Sequence, residues 1–91
     1  MAMSLHEIQI GMQKLKDWGL EGNSIMKEYT FDDFKPALYF VNKVGEIAEK
    51  QHHHPLILID FKTVRLSITT HEEKGLTEKD FALAEQIDKI E

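Results

Sequence analysis

The chain has 91 residues and a mass of 10.6 kDa, the length of one domain built on a single core. Lys and Arg number 11 against 16 Asp and Glu, a net charge of −5 with neutral histidines. That balance argues against a nucleic-acid binder, which draws affinity from basic side chains on phosphates. Cysteine is absent, which excludes disulfide scaffolds, thiolate zinc sites and thiol nucleophiles. No apolar run reaches the roughly 20 residues a membrane span needs. The first residues lack a basic segment followed by an apolar stretch, so no signal peptide is expected and the cytoplasm is the expected compartment.

In chain order, the first predicted element is an amphipathic helix from Ser4 to Asp17. Ser4 and Glu7 have the spacing of a capping box, and Leu5, Ile8, Met12 and Leu15 share one face as core residues. Gly22 and Asn23 then mark a tight turn between two short strands, the second running from Ser24 to Phe31. Asp32 and Asp33 suit a helix start, where a carboxylate caps free amides and favours the positive end of the helix dipole. Ala37, Phe40, Val41, Val44, Ile47 and Ala48 form a continuous stripe on this second helix, which is expected to end near Lys50.

Pro55 disfavours helical geometry at His54. Leu56 to Ile59 reads as a strand buried on both faces, with a turn at Lys62 and Thr63. The next strand alternates, with Val64, Leu66 and Ile68 on one side and Arg65, Ser67, Thr69 and His71 on the other. Thr77 and Asp80 form a second capping-box pair, opening a helix whose apolar face is Phe81, Ala84, Ile87 and Ile90. The expected fold is α+β, in the order α-β-β-α-β-β-α, with helices packed on one face of a four-stranded antiparallel sheet. Residues 1–91 form a single domain on this reading.

The chemistry-bearing feature is the run His52, His53 and His54. Alternation in extended chain sets His52 and His54 on one side and His53 on the other. Imidazole exchanges protons near neutrality, so the run suits acid/base work, and it equally suits a solvated loop. His71 closes a strand that returns antiparallel to the one after Pro55, which brings it near His53 and His54. Three imidazoles at one end of a hairpin are also a candidate zinc site. Glu49, four residues before His53, is placed to orient an imidazole. Asp80 already has a structural explanation as a capping residue.

The complete spacing is Glu49, three residues, His53-His54-Pro55, five residues, Phe61, nine residues, His71, eight residues, Asp80. Together with Trp18 and the Phe31, Asp32, Asp33, Phe34 element, it resembles the pterin-4a-carbinolamine dehydratase family along nearly the whole chain. The resemblance implies the same order of elements and a reaction: dehydration of 4a-hydroxytetrahydropterin to quinonoid dihydropterin, in the recycling of tetrahydrobiopterin used by an aromatic amino-acid hydroxylase. The pterin is then the substrate, and neither metal nor cofactor is required. His53 and His71 match the acid/base pair, His54 lines the pterin site, and Glu49 supports the first histidine. Asp80 orients His71 or contacts the pterin, Trp18 walls the pocket and Phe61 packs. The resemblance also implies a homo-oligomer, a dimer of dimers; the charge balance and the lack of a long apolar run already argue against nucleic acid or membrane as partner. A second reading from another class is a coactivator or assembly module on the same fold. Leu56 and Ile57 after Pro55, and His52 before His53, depart from the family pattern at the pocket rim or oligomer surface.

Overall fold

The computed structural model describes residues 1–90. Three helices and four strands follow the expected order: α1 (Leu5–Gln13), β1 (Gly19–Glu21), β2 (Ser24–Thr30), α2 (Phe34–Gln51), β3 (Leu56–Asp60), β4 (Thr63–Ile68) and α3 (Glu78–Ile87), with a 3-10 turn at His71–Glu73. The strands form one antiparallel sheet in the order β1-β2-β4-β3.

Each helix begins where a side chain satisfies its free amides. Ser4 and Glu7 close a reciprocal capping box on α1, Asp33 accepts the Phe34 amide at α2, and Thr77 and Asp80 close a second box on α3. The α2 stripe of Ala37, Phe40, Val44 and Ala48 is buried. It meets Ile25, Val64, Leu66 and Ile68 from the sheet and Phe81, Leu83, Ala84 and Ile87 from α3. Alternation along β4 thus points Val64, Leu66 and Ile68 into the core, as expected. Gly11 allows α1 to approach α3, because a Cβ there would lie 2.8 Å from the Phe81 ring.

Five expectations need correction. Helix α1 ends at Gln13 rather than Asp17: Asp17 takes a left-handed backbone (φ 66°), and the reversal carries Trp18 into the core. Leu5 is exposed, while Ile8, Met12 and Leu15 pack on the core only in part. Strand β3 is not buried on both faces, because it is the sheet's edge and helices cover one side only. Leu56 and Leu58 are 61% and 54% exposed. The β3–β4 turn is Phe61-Lys62, one residue earlier than expected, and Phe61 adopts φ 52° with its ring exposed rather than packed.

Candidate active site

The site begins with the way α2 ends. His52 takes a left-handed conformation (φ 53°), its amide reaching the Glu49 carbonyl and the His53 amide the Ala48 carbonyl. This paired closure is a Schellman motif, in which glycine is the usual left-handed residue. The reversal separates the three imidazoles: His53 turns inward and is 9% exposed, while His52 and His54 remain at the surface.

Inside, His53 Nε2 lies 2.6 Å from Asp80 Oδ1. Asp80 is fully buried in the first turn of α3, and its Oδ2 accepts from the Thr77 amide and the Thr70 hydroxyl, each at 2.8 Å. A buried carboxylate is costly without donors, and here donors reach both oxygens. Capping and site roles therefore coexist in one side chain. Its histidine partner is His53, where the resemblance implied that it orients His71 or contacts the pterin.

Glu49 is also redirected. It pairs with His54 Nε2 at 2.5 Å instead of with His53. The hydrogen bond from His54, and then its charge, hold the Glu49 carboxyl below the ordinary carboxylate range. The Schellman turn explains the switch, since it takes His53 off the helix face that Glu49 occupies.

Strand β4 stops at Ile68, so His71 does not lie on its polar face; it opens the exposed 3-10 turn. Thr70 immediately before it forms a bridge with Gly75. Leu56 pairs with Ser67, and the same register extended past the strand ends sets His53 against Thr70. A cavity of about 610 Å³ lies at this junction, lined by His52, His53, Thr70, Glu72 and Thr77 with the first three residues of the chain. His71 itself is not among its lining residues, though both of its chain neighbours are. Among the described residues, no three His, Asp or Glu side chains converge as metal ligands.

Trp18 stands elsewhere. Its indole Nε1 donates to Asp88 Oδ2 at 2.9 Å, and it does not line the His53 cavity. Asp88 Oδ1 also accepts from the Tyr29 hydroxyl at 2.6 Å and from Lys27 Nζ at 3.0 Å. Burial, and then the hydrogen bond to Asp88, push the Tyr29 phenol well above its ordinary range. A second cavity, about 460 Å³, opens beside this cluster among Tyr29, Phe31, Tyr39, Phe40 and Ile87. It contains none of the histidines.

Sequence reasoning missed Thr70. A threonine at the end of a strand is too common to stand out, although the doublet Thr69-Thr70 directly before His71 was visible.

The sequence pattern of the pterin 4 alpha carbinolamine dehydratase family matches residues 1–90. The chain belongs to that family. A relative from Chloroflexus aurantiacus, strain J-10-fl, is 46% identical over 88 residues, spanning 97% of this chain and 95% of its own. Another from Sulfurisphaera tokodaii is 43% identical over 84 residues, spanning 92% and 90%. The names of both assign pterin-4-alpha-carbinolamine dehydratase activity provisionally. Among solved structures, a Brucella melitensis protein described as a transcriptional coactivator/pterin dehydratase superposes with a TM-score of 0.92 at 28% identity, covering 97% of this chain and 96% of that one. A pterin dehydratase-like RuBisCO assembly factor of the alpha-carboxysome shares the fold, with a TM-score of 0.65 at 17% identity over 78% of this chain and 82% of its own. No helix in the described residues is long and apolar enough to cross a membrane.

Proposed function

We propose that this chain dehydrates a 4a-hydroxytetrahydropterin to the quinonoid dihydropterin, with His53 and His71 as the acid/base pair. The C4a–O bond breaks as the hydroxyl takes a proton and leaves as water. The N5–H electrons become the new N5=C4a bond as that proton is removed. Each well-placed transfer contributes roughly 10²- to 10⁴-fold. The observation that carries this reading is the buried His53–Asp80 pair at a cavity beside the turn bearing His71. His54 and its partner Glu49 are exposed and do not line that cavity; their proposed contact with the pterin rests on His54 following His53 directly in the chain. Trp18 stands outside that cavity and ties the start of β1 to the end of α3 through Asp88. The reaction proposed here uses no metal or cofactor and serves pterin recycling beside an aromatic amino-acid hydroxylase in the cytoplasm.

The proposal includes a homo-oligomer, a dimer of dimers. The exposed β3 edge, with Leu56 and Leu58, gives a physical reason for association. Sedimentation showing a monomer at micromolar concentration contradicts that part. The same apolar edge, with the exposed Phe61, also favours a second reading, a coactivator or assembly module, in keeping with the description of the Brucella protein.

The test compares turnover of freshly generated 4a-hydroxytetrahydropterin by wild type, His53→Ala and His71→Ala. Both variants are expected to remain folded and to lose at least 10²-fold. Unchanged rates in both variants overturn the assignment. Absent dehydration, combined with stoichiometric recovery of a protein partner, selects the second reading.

A further inference from the structure

Thr70 is 2% exposed and polar, hydrogen-bonded to the carboxylate that holds His53, and the chain neighbour of His71. Its Oγ1 lies 2.8 Å from Asp80 Oδ2 and 2.9 Å from Thr77 Oγ1. An ionised carboxylate only accepts hydrogen bonds, so the Thr70 O–H donates to Asp80. Thr77 Oγ1 already accepts the Lys79 amide, and its own O–H is free to donate to Thr70. Direction is therefore fixed along a chain: Thr77 to Thr70, then Thr70 to Asp80. The Thr77 amide adds a second donor to the same Asp80 oxygen.

With Oδ2 occupied by these two donors, Oδ1 faces His53 Nε2. That oxygen can only accept, so neutral His53 carries its proton on Nε2. Among the described residues, no group hydrogen-bonds Nδ1, and His53 lines the cavity. The backbone of Thr70 also exchanges hydrogen bonds with Gly75, its amide reaching the Gly75 carbonyl at 3.3 Å and its carbonyl accepting the Gly75 amide at 3.4 Å. These two bonds close the turn that begins at His71. One residue thus holds one imidazole through its hydroxyl and anchors the turn of the other through its main chain.

We propose that Thr70 is a positioning residue for proton transfer: its hydroxyl locks Asp80 so that His53 keeps its neutral-state proton on Nε2 and offers Nδ1 to the substrate, while its backbone anchors the turn carrying His71. The proposal rests on the dehydratase reading for the identity of the substrate, and on the geometry alone for the clamp. It separates two effects of substitution. Removing the hydroxyl frees the carboxylate to rotate and loosens the His53 tautomer. The main-chain bridge survives, so the His71 turn stays in place.

The test combines two-bond 1H–15N NMR of the imidazoles in substrate-free protein with dehydration kinetics. Spectra are taken near pH 8, above the ordinary imidazole pKa of about 6.5. The variants are Thr70→Val, matched in shape, Thr70→Ala, which avoids dependence on one variant folding, and Thr70→Ser, which restores the hydroxyl. Wild type and Thr70→Ser are expected to show the Nε2–H form at His53. Thr70→Val and Thr70→Ala are expected to mix the tautomers and lower kcat by about 10- to 100-fold, with a smaller change in KM, because a small misplacement of a reacting group costs about that much. A folded Thr70→Val or Thr70→Ala protein that keeps the wild-type tautomer overturns the proposal, and so does one whose tautomer mixes at full turnover. A wild type without dehydratase activity overturns the functional reading instead, and the tautomer signal then decides the clamp by itself.

Discussion

His53 Nε2 and Asp80 Oδ1 meet at 2.6 Å across 27 positions of sequence, one at the exit of α2 and the other in the first turn of α3. The contact joins the two helices at the cavity and gives the same carboxylate a folding duty and a chemical one. Asp80→Asn keeps the shape but removes the charge, and its single oxygen can accept either from Thr70 and Thr77 or from His53 Nε2–H, not from both sides. The expected cost is about 1–3 kcal/mol of stability, since buried donors lose their acceptor, with a fall in turnover of roughly 10²-fold or more. Urea unfolding and kinetics on one preparation check both. A loss confined to stability means that Asp80 is only a cap.

Asp88 provides the contrasting case. It gathers Trp18, Lys27 and Tyr29 from the α1–β1 connection and β2 onto the end of α3. Asp88→Ala should destabilise the fold by about 1–3 kcal/mol through these lost hydrogen bonds. Turnover, measured well below the melting temperature, should stay near wild type. A large loss of kcat in folded Asp88→Ala protein would show that this cluster is coupled to the histidines.

Tyr29 supplies a pH dependence with a definite sign. Its pKa is raised in the folded state, so the native protein retains the phenolic proton after the unfolded chain has released it. Its contribution to stability is fully present below the ordinary phenol value of about 10 and is lost as pH rises beyond it. Alkaline titration followed at 295 nm should show no tyrosinate signal from Tyr29 until the protein unfolds. The native-state signal of Tyr29→Phe should therefore equal that of wild type. A native signal that disappears in Tyr29→Phe contradicts this.

His52 carries the backbone strain of the turn that sends His53 inward. Glycine reaches the left-handed region without the penalty a Cβ imposes, roughly 1–2 kcal/mol. His52→Gly should therefore raise the urea midpoint, with a gain in stability of up to about 1 kcal/mol once the greater freedom of glycine in the unfolded chain is offset. A lowered midpoint would mean that the imidazole makes contacts worth more than the strain.

Much of the fold was legible because its signals are local and agree with one another. Two capping boxes, the α2 stripe and the alternation along β4 each follow from side-chain period and hydrogen-bonding chemistry, and each is found in place. The β3 run misled because four consecutive apolar residues look the same in a covered strand and at a sheet edge; only strand order distinguishes them. The imidazole partners were legible in part. His53 is set apart from His52 and His54 as expected, but by the left-handed turn at His52 rather than by alternation in an extended chain. The exchange of Glu49 from His53 to His54 depends on one left-handed residue, which His52 gave no sign of being. Asp80 was visible twice, as a cap and as a family position, but its contact with His53 is tertiary. Thr70 acquires its role entirely from what the fold brings to it.

The most direct measurement is the rate at which freshly generated 4a-hydroxytetrahydropterin loses water, followed by ultraviolet absorbance with and without the folded wild-type protein. The uncatalysed rate is subtracted and His53→Ala is run in parallel. Acceleration by wild type that disappears in His53→Ala is the predicted result. A folded wild type that leaves the uncatalysed rate unchanged contradicts the dehydratase account.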